Sequence, residues 1–472
     1  MMKFSNSSQA REERAGEESI RSVRFGALFA LLMSACLLGG GPVAAGIPLI
    51  IISIAAAVCL GVLIYERSLG KRPELPRYFT LVLGAIWIAP LVQLIPLPPG
   101  IWRELPGRTI AASVRDVVSP GAGFYPFSID PASTWVAFFA VTVFMVAFIG
   151  ALSLGRRQMR LLLWALCAIA FLNIFVGSFQ VATGGGIFDF HGSGHRANLI
   201  GFFANRNHAA LYLSAMIPLL TYLISTSHGL MRRHARYFSI AGIILLLVGV
   251  VVTTSRAGLV MGMISAVASL VMVGFTSKVV KSPWRIAAGG GVLLLAASPI
   301  LFSERLFAVM QRFDSVSADL RWQIWKQSWV VAQAYLPLGS GFGTYRLAYD
   351  PLEPIAMVSP QYVNNAHNDY LELLIEGGYP AIILLLGLLI LIALQSWKLA
   401  PQIWKARLLS AYVPAILFIV LALGHSVVDY PMRRLAIAVP LALMLGLLFR
   451  STREDRAMKE GAPTQIADNA EA

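Results

Sequence analysis

Charge is scarce in this sequence. Asp, Glu, Lys and Arg together supply 13% of the residues while 57% are apolar. Soluble domains carry about a quarter of charged residues, so a soluble globule is excluded. Cysteine is rarer still: Cys36, Cys59 and Cys167 all fall in apolar runs, with no CxxC pair and no Cys/His cluster at metal-ligand spacing. Neither a disulfide framework nor a zinc site is expected. Acidic residues are fewer than basic ones, 24 against 38, for a formal net charge of +14. In a soluble chain that excess would point to nucleic acid. Here the Lys and Arg residues stand in short connectors between hydrophobic runs, a pattern that encodes orientation in a bilayer, and no nucleic-acid partner is expected. Internal repeats and low-complexity stretches are also lacking.

What the chain has in abundance is apolar stretches of about 20 residues, the length that crosses a bilayer. They lie near 25–41, 44–65, 78–96, 134–154, 160–182, 207–226, 237–253, 258–276, 285–303, 380–396, 408–426 and 435–450. This predicts an all-α, polytopic transmembrane bundle of about twelve spans. With a cytoplasmic N-terminus, the connectors from Glu66 to Arg77, Arg156 to Arg160, Arg232 to Arg236, Lys278 to Arg285 and Lys398 to Arg407 all fall inside, and all are basic, as the positive-inside rule requires. Adding or dropping one helix would move half of these clusters outside, so both termini are expected in the cytoplasm. Residues 1–24 and 451–472 read as polar cytoplasmic tails, 25–303 and 380–450 as the two parts of the bundle, and 304–379 as a long outside loop. Small residues around Ser34-Ala35-Cys36 have the look of a processing site, but so many following spans argue against a cleaved signal.

A loop as long as 304–379 is uncommon unless it carries function. Within it Ser317 can cap a helix over 318–335, in which Trp322, Trp325 and Trp329 form one aromatic stripe. Such a stripe serves as an interfacial anchor or as a direct contact for sugar or lipid. Gly339-Ser340-Gly341-Phe342-Gly343 has the glycines of a phosphate loop without its Lys or its strand-to-helix setting, and reads as a flexible turn. Residues 368–376 predict a short helix with Asp369 and Glu372 in its first turn, ended by Gly377-Gly378 before Pro380 opens the next span. His367 is thereby held at the mouth of a helix.

Reactive side chains gather on the outside face: Asn205-Arg206-Asn207-His208, Ser255-Arg256, Arg321, His367, and the pair His425 and Asp429. Arginine presents a planar, permanently charged fork that grips phosphate through two bonds, so several of them can neutralise a pyrophosphate. No DxD-type acidic pair stands in the outer loops, and no metal ligands or cofactor are expected. Each residue also has a plainer reading. Arg206 and Arg256 can snorkel from helix ends, a lone loop histidine can be structural, His425 and Asp429 can be a hydrogen-bonded pair, and Glu372 and Glu376 can serve the helix terminus and nearby arginines.

In order, the chain carries Asn205-Arg206-Asn207-His208, Ser255-Arg256-Ala257-Gly258, Arg321-Trp322 with Pro337-Leu338-Gly339-Ser340-Gly341, then His367-Asn368-Asp369-Tyr370-Leu371-Glu372 through Gly377-Gly378, and His425-Ser426-Val427-Val428-Asp429-Tyr430-Pro431. This ordered set resembles the O-antigen ligase and polymerase superfamily over roughly residues 180–450. The resemblance implies a GT-C-like glycosyltransferase of the bacterial inner membrane with its active site on the periplasmic side. Its donor would be an undecaprenyl-pyrophosphate-linked glycan and its acceptor a glycan or lipid A-core. It implies His367, Arg256 and Arg321 as catalytic, and Arg206, Asn207, His208, Asp369, Glu372 and Asp429 as substrate-contacting. Ligation, repeat-unit polymerisation and protein O-glycosylation share this donor chemistry. A transporter of lipid-linked glycans would carry ionisable residues at mid-membrane, where these spans have almost none. In a deletion strain, long unattached chains on a polysaccharide gel are the expected result for ligation, and single repeats the expected result for polymerisation.

Overall fold

The computed structural model describes residues 22–42, 46–68, 77–118, 121, 123–192, 198–227, 229–276, 320–358 and 363–450. The span predicted at 285–303, Ser317, most of residues 1–24 and the tail 451–472 lie outside them. Among the described residues the architecture is helical apart from one two-residue pairing of β1 (Pro96–Leu97) with β2 (Tyr125–Pro126).

The helices in chain order are α1 (Ser22–Leu38), α2 (Ile47–Ser68), α3 (Arg77–Val92), α4 (Pro99–Glu104), α5 (Thr109–Val118), α6 (Pro131–Leu152), α7 (Arg156–Ala182), α8 (Arg206–Ser225), α9 (Gly229–Val252) and α10 (Arg256–Thr276). They continue with α11 (Leu320–Tyr335), α12 (Tyr345–Tyr349), α13 (Asp369–Lys405), α14 (Tyr412–His425) and α15 (Leu435–Phe449). By length and composition six are fit to cross a membrane: α2, α6, α7, α8, α10 and α13. Four others, α1, α3, α14 and α15, and the Tyr237–Val252 part of α9 are apolar but shorter. This is a multi-pass membrane protein. Each predicted apolar run inside the described residues falls on one of these helices, and six of them have the length and composition to cross a membrane; the run predicted at 285–303 lies outside the described residues.

Burial separates the helices by role. All 15 residues of α15 are buried, and α8 buries nearly its whole surface, so these two face protein all round. Their neighbours approach closely because small residues meet at the contacts. A Cβ on Gly258 of α10 would stand 2.3 Å from the Cβ of Ala210 on α8. The helices α8, α10 and α13 have side-chain caps for their first free N–H groups. Asn205 accepts from Asn207 N at 2.8 Å, Ser255 from Gly258 N at 3.0 Å, and Asn368 from both Tyr370 N and Leu371 N at 3.0 Å.

The segments between the long apolar helices form a cap with a small core of its own, in which Val331, Tyr335, Tyr345, Tyr349 and Ile375 join α11, α12 and α13. The segment after α3 packs against this cap: the buried Arg108 guanidinium lies over the Trp102, Phe127 and Tyr335 rings and donates to Phe127 O at 2.7 Å. The helix α13 starts at Asp369 as expected and is interrupted at Gly378 (φ 60°, ψ −159°), after which the chain resumes as the long apolar helix.

That interruption frees backbone carbonyls, and their partners correct one expectation. Rather than a flexible turn, Gly339–Gly343 is a clamp. Ser340 N donates to Ile375 O at 2.9 Å and Gly341 N to Glu376 O at 3.0 Å, while Tyr379 N donates to Pro337 O at 2.9 Å. Gln93 of the segment after α3 closes the set, giving Nε2 to Glu376 O at 3.0 Å and accepting from Phe342 N at 2.8 Å. The glycines are required because the backbones touch: a Cβ on Gly378 would meet Pro337 O at 2.2 Å. Gly378→Ala adds left-handed strain of about 1–3 kcal/mol to this clash and is expected to lower the thermal unfolding midpoint in detergent. Gly84→Ala, which faces open space in α3, should leave it unchanged or higher.

Candidate active site

The sequence-predicted residues converge on one carboxylate. Asp429 has no solvent exposure, and its two oxygens are filled by groups from four parts of the chain. Oδ1 takes the His367 Nδ1 at 3.3 Å and the Tyr430 N–H at 3.0 Å. Oδ2 takes the Asn207 side-chain amide at 2.6 Å and that of Asn205 at 3.3 Å. Arg321 Nη2 is 3.9 Å from Oδ2. Burial alone would push the carboxyl upward in pKa, but the His208 and His367 imidazoles beside it more than reverse that and hold it well below the usual carboxylate range.

His367 is the exposed end of this arrangement, with 30% of its side chain accessible. Its backbone is left-handed (φ 51°), its carbonyl accepts from Trp325 Nε1 at 3.3 Å, and its ring meets Tyr430 edge-on at 4.9 Å between centroids. Because an ionised carboxylate only accepts, the Nδ1 facing Asp429 carries the proton and Nε2 keeps the lone pair.

The helix starts that carry Arg206 and Arg256 are tied to the same carboxylate. Asn207 links Asp429 to α10, since its Oδ1 accepts from Ser255 Oγ at 2.8 Å, and Ser255 caps the helix on which Arg256 is the first residue. Arg206, first residue of α8, donates to Thr254 Oγ1 at 3.0 Å, and Thr254 donates on to Asn198 Oδ1 at 2.5 Å. Thr254 is itself left-handed (φ 55°), which fits a tight turn between α9 and α10. The N-termini of α8, α10 and α13 are thus tied to one another through Asn207, Ser255, Asp429 and His367. Helix N-termini carry partial positive charge, so the arrangement favours an anion.

Asp369 and Glu372, expected to contact substrate, are buried and committed to the protein. Along with Glu376 they lie on one face of α13 and surround Arg433, a residue the sequence reading did not single out. Arg433 stands 3.6 Å from Asp369, 3.0 Å from Glu372 and 2.8 Å from Glu376. These three carboxylates raise its affinity for the proton despite the opposing effect of burial. Glu372 also holds the His367 loop, accepting from Asn365 Nδ2 at 2.8 Å and Ala366 N at 3.0 Å. Asp369 holds the Asp429 segment, accepting from Ser426 Oγ at 2.8 Å and Met432 N at 3.2 Å. The spacing carried only part of the signal: acids at positions i, i+3 and i+7 share a helix face and need a counter-charge, but nothing local says which residue supplies it.

His208 and His425 are buried at 3.7 and 3.9 Å from Asp429, and the donor atoms of the three groups lie within 4.8 Å of one another. A metal ion fits poorly there. The four lone-pair positions of Asp429 are already taken by N–H groups, so ligation would have to break one of these bonds.

Fold and site together define a multi-pass membrane protein with an anion-favouring, histidine-bearing centre on one face. Residues 241–386 match the family model described as O-antigen ligase, which supports the O-antigen ligase superfamily, a group of ligase- and polymerase-type glycosyltransferases. The matched interval contains Arg256, Arg321 and His367, while Arg206 and Asp429 lie outside it. No curated protein matches the chain.

Replacing Arg433 by Ala leaves three buried carboxylates facing one another. Loss of one partner of such a cluster costs about 3–5 kcal/mol, so a large fall in the thermal unfolding midpoint is expected. Arg433→Lys should recover only part of it, because an ammonium cannot reach all three acids with a rigid fork.

Proposed function

We propose that this protein is an O-antigen ligase-like glycosyltransferase of the bacterial inner membrane. It transfers a glycan from an undecaprenyl-pyrophosphate donor to an acceptor hydroxyl in surface-polysaccharide biosynthesis, on the periplasmic side. The observation that carries this reading is the 3.3 Å contact between His367 Nδ1 and the buried Asp429, set among helix N-termini that carry Arg206 and Arg256. A base with a fixed tautomer beside a phosphate-binding face is what glycan transfer from a lipid pyrophosphate requires.

His367 Nε2 takes the proton of the acceptor hydroxyl as that oxygen attacks the anomeric carbon, and the bond to pyrophosphate breaks from the opposite side with inversion. Its electron pair goes to a phosphate oxygen. Arg256 and Arg321, with Arg206 as a further contact, stabilise the charge growing there, and the positive ends of α8 and α10 add to this. The scheme calls on neither a nucleotide nor a general acid, since pyrophosphate leaves readily. Asn207, His208 and Asp429 act behind the first contacts by holding the base and the arginine-bearing helices. Asp369 and Glu372 brace the two segments that carry the dyad. Repeat-unit polymerisation uses the same residues with a different acceptor.

General-base help is worth roughly 10²–10⁴ in rate. The His367→Ala protein is expected to insert into the membrane normally and lose transfer by that factor, with lipid-linked donor accumulating in cells. Normal surface polysaccharide in that strain would remove His367 from the base role.

A further inference from the structure

The segment between α3 and α6 folds into a small lobe, made of α4, α5 and the β1–β2 pairing, at the same end of the bundle as His367. Gln93 bonds it to Glu376 O and Phe342 N, and its α4–α5 turn rests on α11, where a Cβ on Gly107 would stand 2.6 Å from the Tyr335 ring. The lobe is firmly built. Trp102 of α4 is fully buried and donates Nε1 to Pro126 O at 2.8 Å, Arg115 of α5 lies over the Trp102 and Tyr125 rings at 4.6 and 4.4 Å, and Arg103 pairs with Asp116. These contacts hold one side of α5. The other side carries Ile110, Val114, Val117 and Val118, which at i, i+4, i+7 and i+8 form a single stripe, and which are between 47% and 83% exposed. Ile101 of α4 and Phe124 beyond α5 are exposed as well.

What covers the stripe follows from the helices on which the lobe stands. Trp87 of α3 and Trp135 of α6 flank Phe138 at 5.6 and 5.7 Å between ring centroids, and both are exposed. Exposed Trp near the end of a span marks the headgroup level. From there apolar exposed surface continues through Val92 and Ile95 at the end of α3, and Ile95 O accepts Phe127 N at 3.0 Å beside the strand that receives Trp102. Ile101 and the α5 stripe extend the same bilayer-facing surface. With ten residues α5 is too short to span, which takes about 20, while a helix with one apolar and one charged side is suited to lie in the interfacial plane. We infer that α4 and α5 form an interfacial anchor, with the Ile110, Val114, Val117 and Val118 stripe seated in the headgroup–acyl boundary of the leaflet on the His367 side. Its occupant is bilayer lipid, held by burial of apolar surface. Because the α4–α5 turn rests on Tyr335, the anchor fixes the height of α11 above that leaflet.

The test uses full-length protein in phosphatidylcholine nanodiscs, with Val117→Cys in the stripe or Thr109→Cys on another side of α5 carrying an environment-sensitive fluorophore. Both positions are exposed, so the thermal unfolding midpoint should match wild type, and the buried Cys36, Cys59 and Cys167 do not compete for the label. The Val117 label should be blue-shifted, shielded from aqueous iodide, and quenched more by lipid spin-labelled near its headgroup than by lipid spin-labelled at the chain end. The Thr109 label should be the more strongly quenched by iodide. Free access of iodide to the Val117 label would put the stripe in water and overturn the assignment. Shielding from iodide and from both spin-labelled lipids would mean that protein covers the stripe, a second copy or another chain, and would overturn it as well. Stronger quenching from the chain end would place α5 too deep for an interfacial helix and contradict the anchor.

Discussion

A carboxylate with no access to water has to be solvated by the protein, and one end of this bundle is organised by that requirement at Asp429. An isolated buried charge is too costly to persist. Its N–H partners come from the start of α8, from the His367 loop and from its own turn, with Arg321 of α11 alongside. Satisfying one side chain therefore draws segments distant in sequence to one point. It also orients the imidazole, because the proton on Nδ1 is fixed by the anion it faces. Folding constraint and chemical role are the same interaction.

A second charged cluster holds that point in place. Arg433 and the three acids of α13 lie behind the dyad, and through Glu372 and Asp369 they grip both segments that form it. The glycine clamp at Gly378 satisfies the carbonyls freed where α13 breaks. The break lets a short helix present His367 at the surface while the rest of the chain continues as a long apolar helix. Preorganisation of this kind is what electrostatic catalysis draws on, since donors already in position need no rearrangement as charge develops.

Much of this was legible in the sequence where the signal is local. Hydropathy placed the helices, and Gly377-Gly378 with Pro380 marked the break. The gathering of Arg321, His367, His425 and Asp429 followed from topology alone. What was not legible depends on contacts between distant segments. Helical spacing shows that Asp369, Glu372 and Glu376 share a face but not that Arg433 meets it. The turn at Gly339–Gly343 is flexible by composition and rigid only because Ile375 and Glu376 offer carbonyls across it. Asp429 reads from the sequence as one more outer polar residue. Only its burial reveals it as the group to which the others answer.

The central claim is that His367 and Asp429 act as one unit, and a double-mutant cycle on the transfer rate tests it most directly. If Asp429 works through His367, Asp429→Asn on its own slows transfer strongly, and adding it to His367→Ala costs little more than His367→Ala alone. Independent contributions would make the two losses multiply in the double variant, and that result would contradict the account.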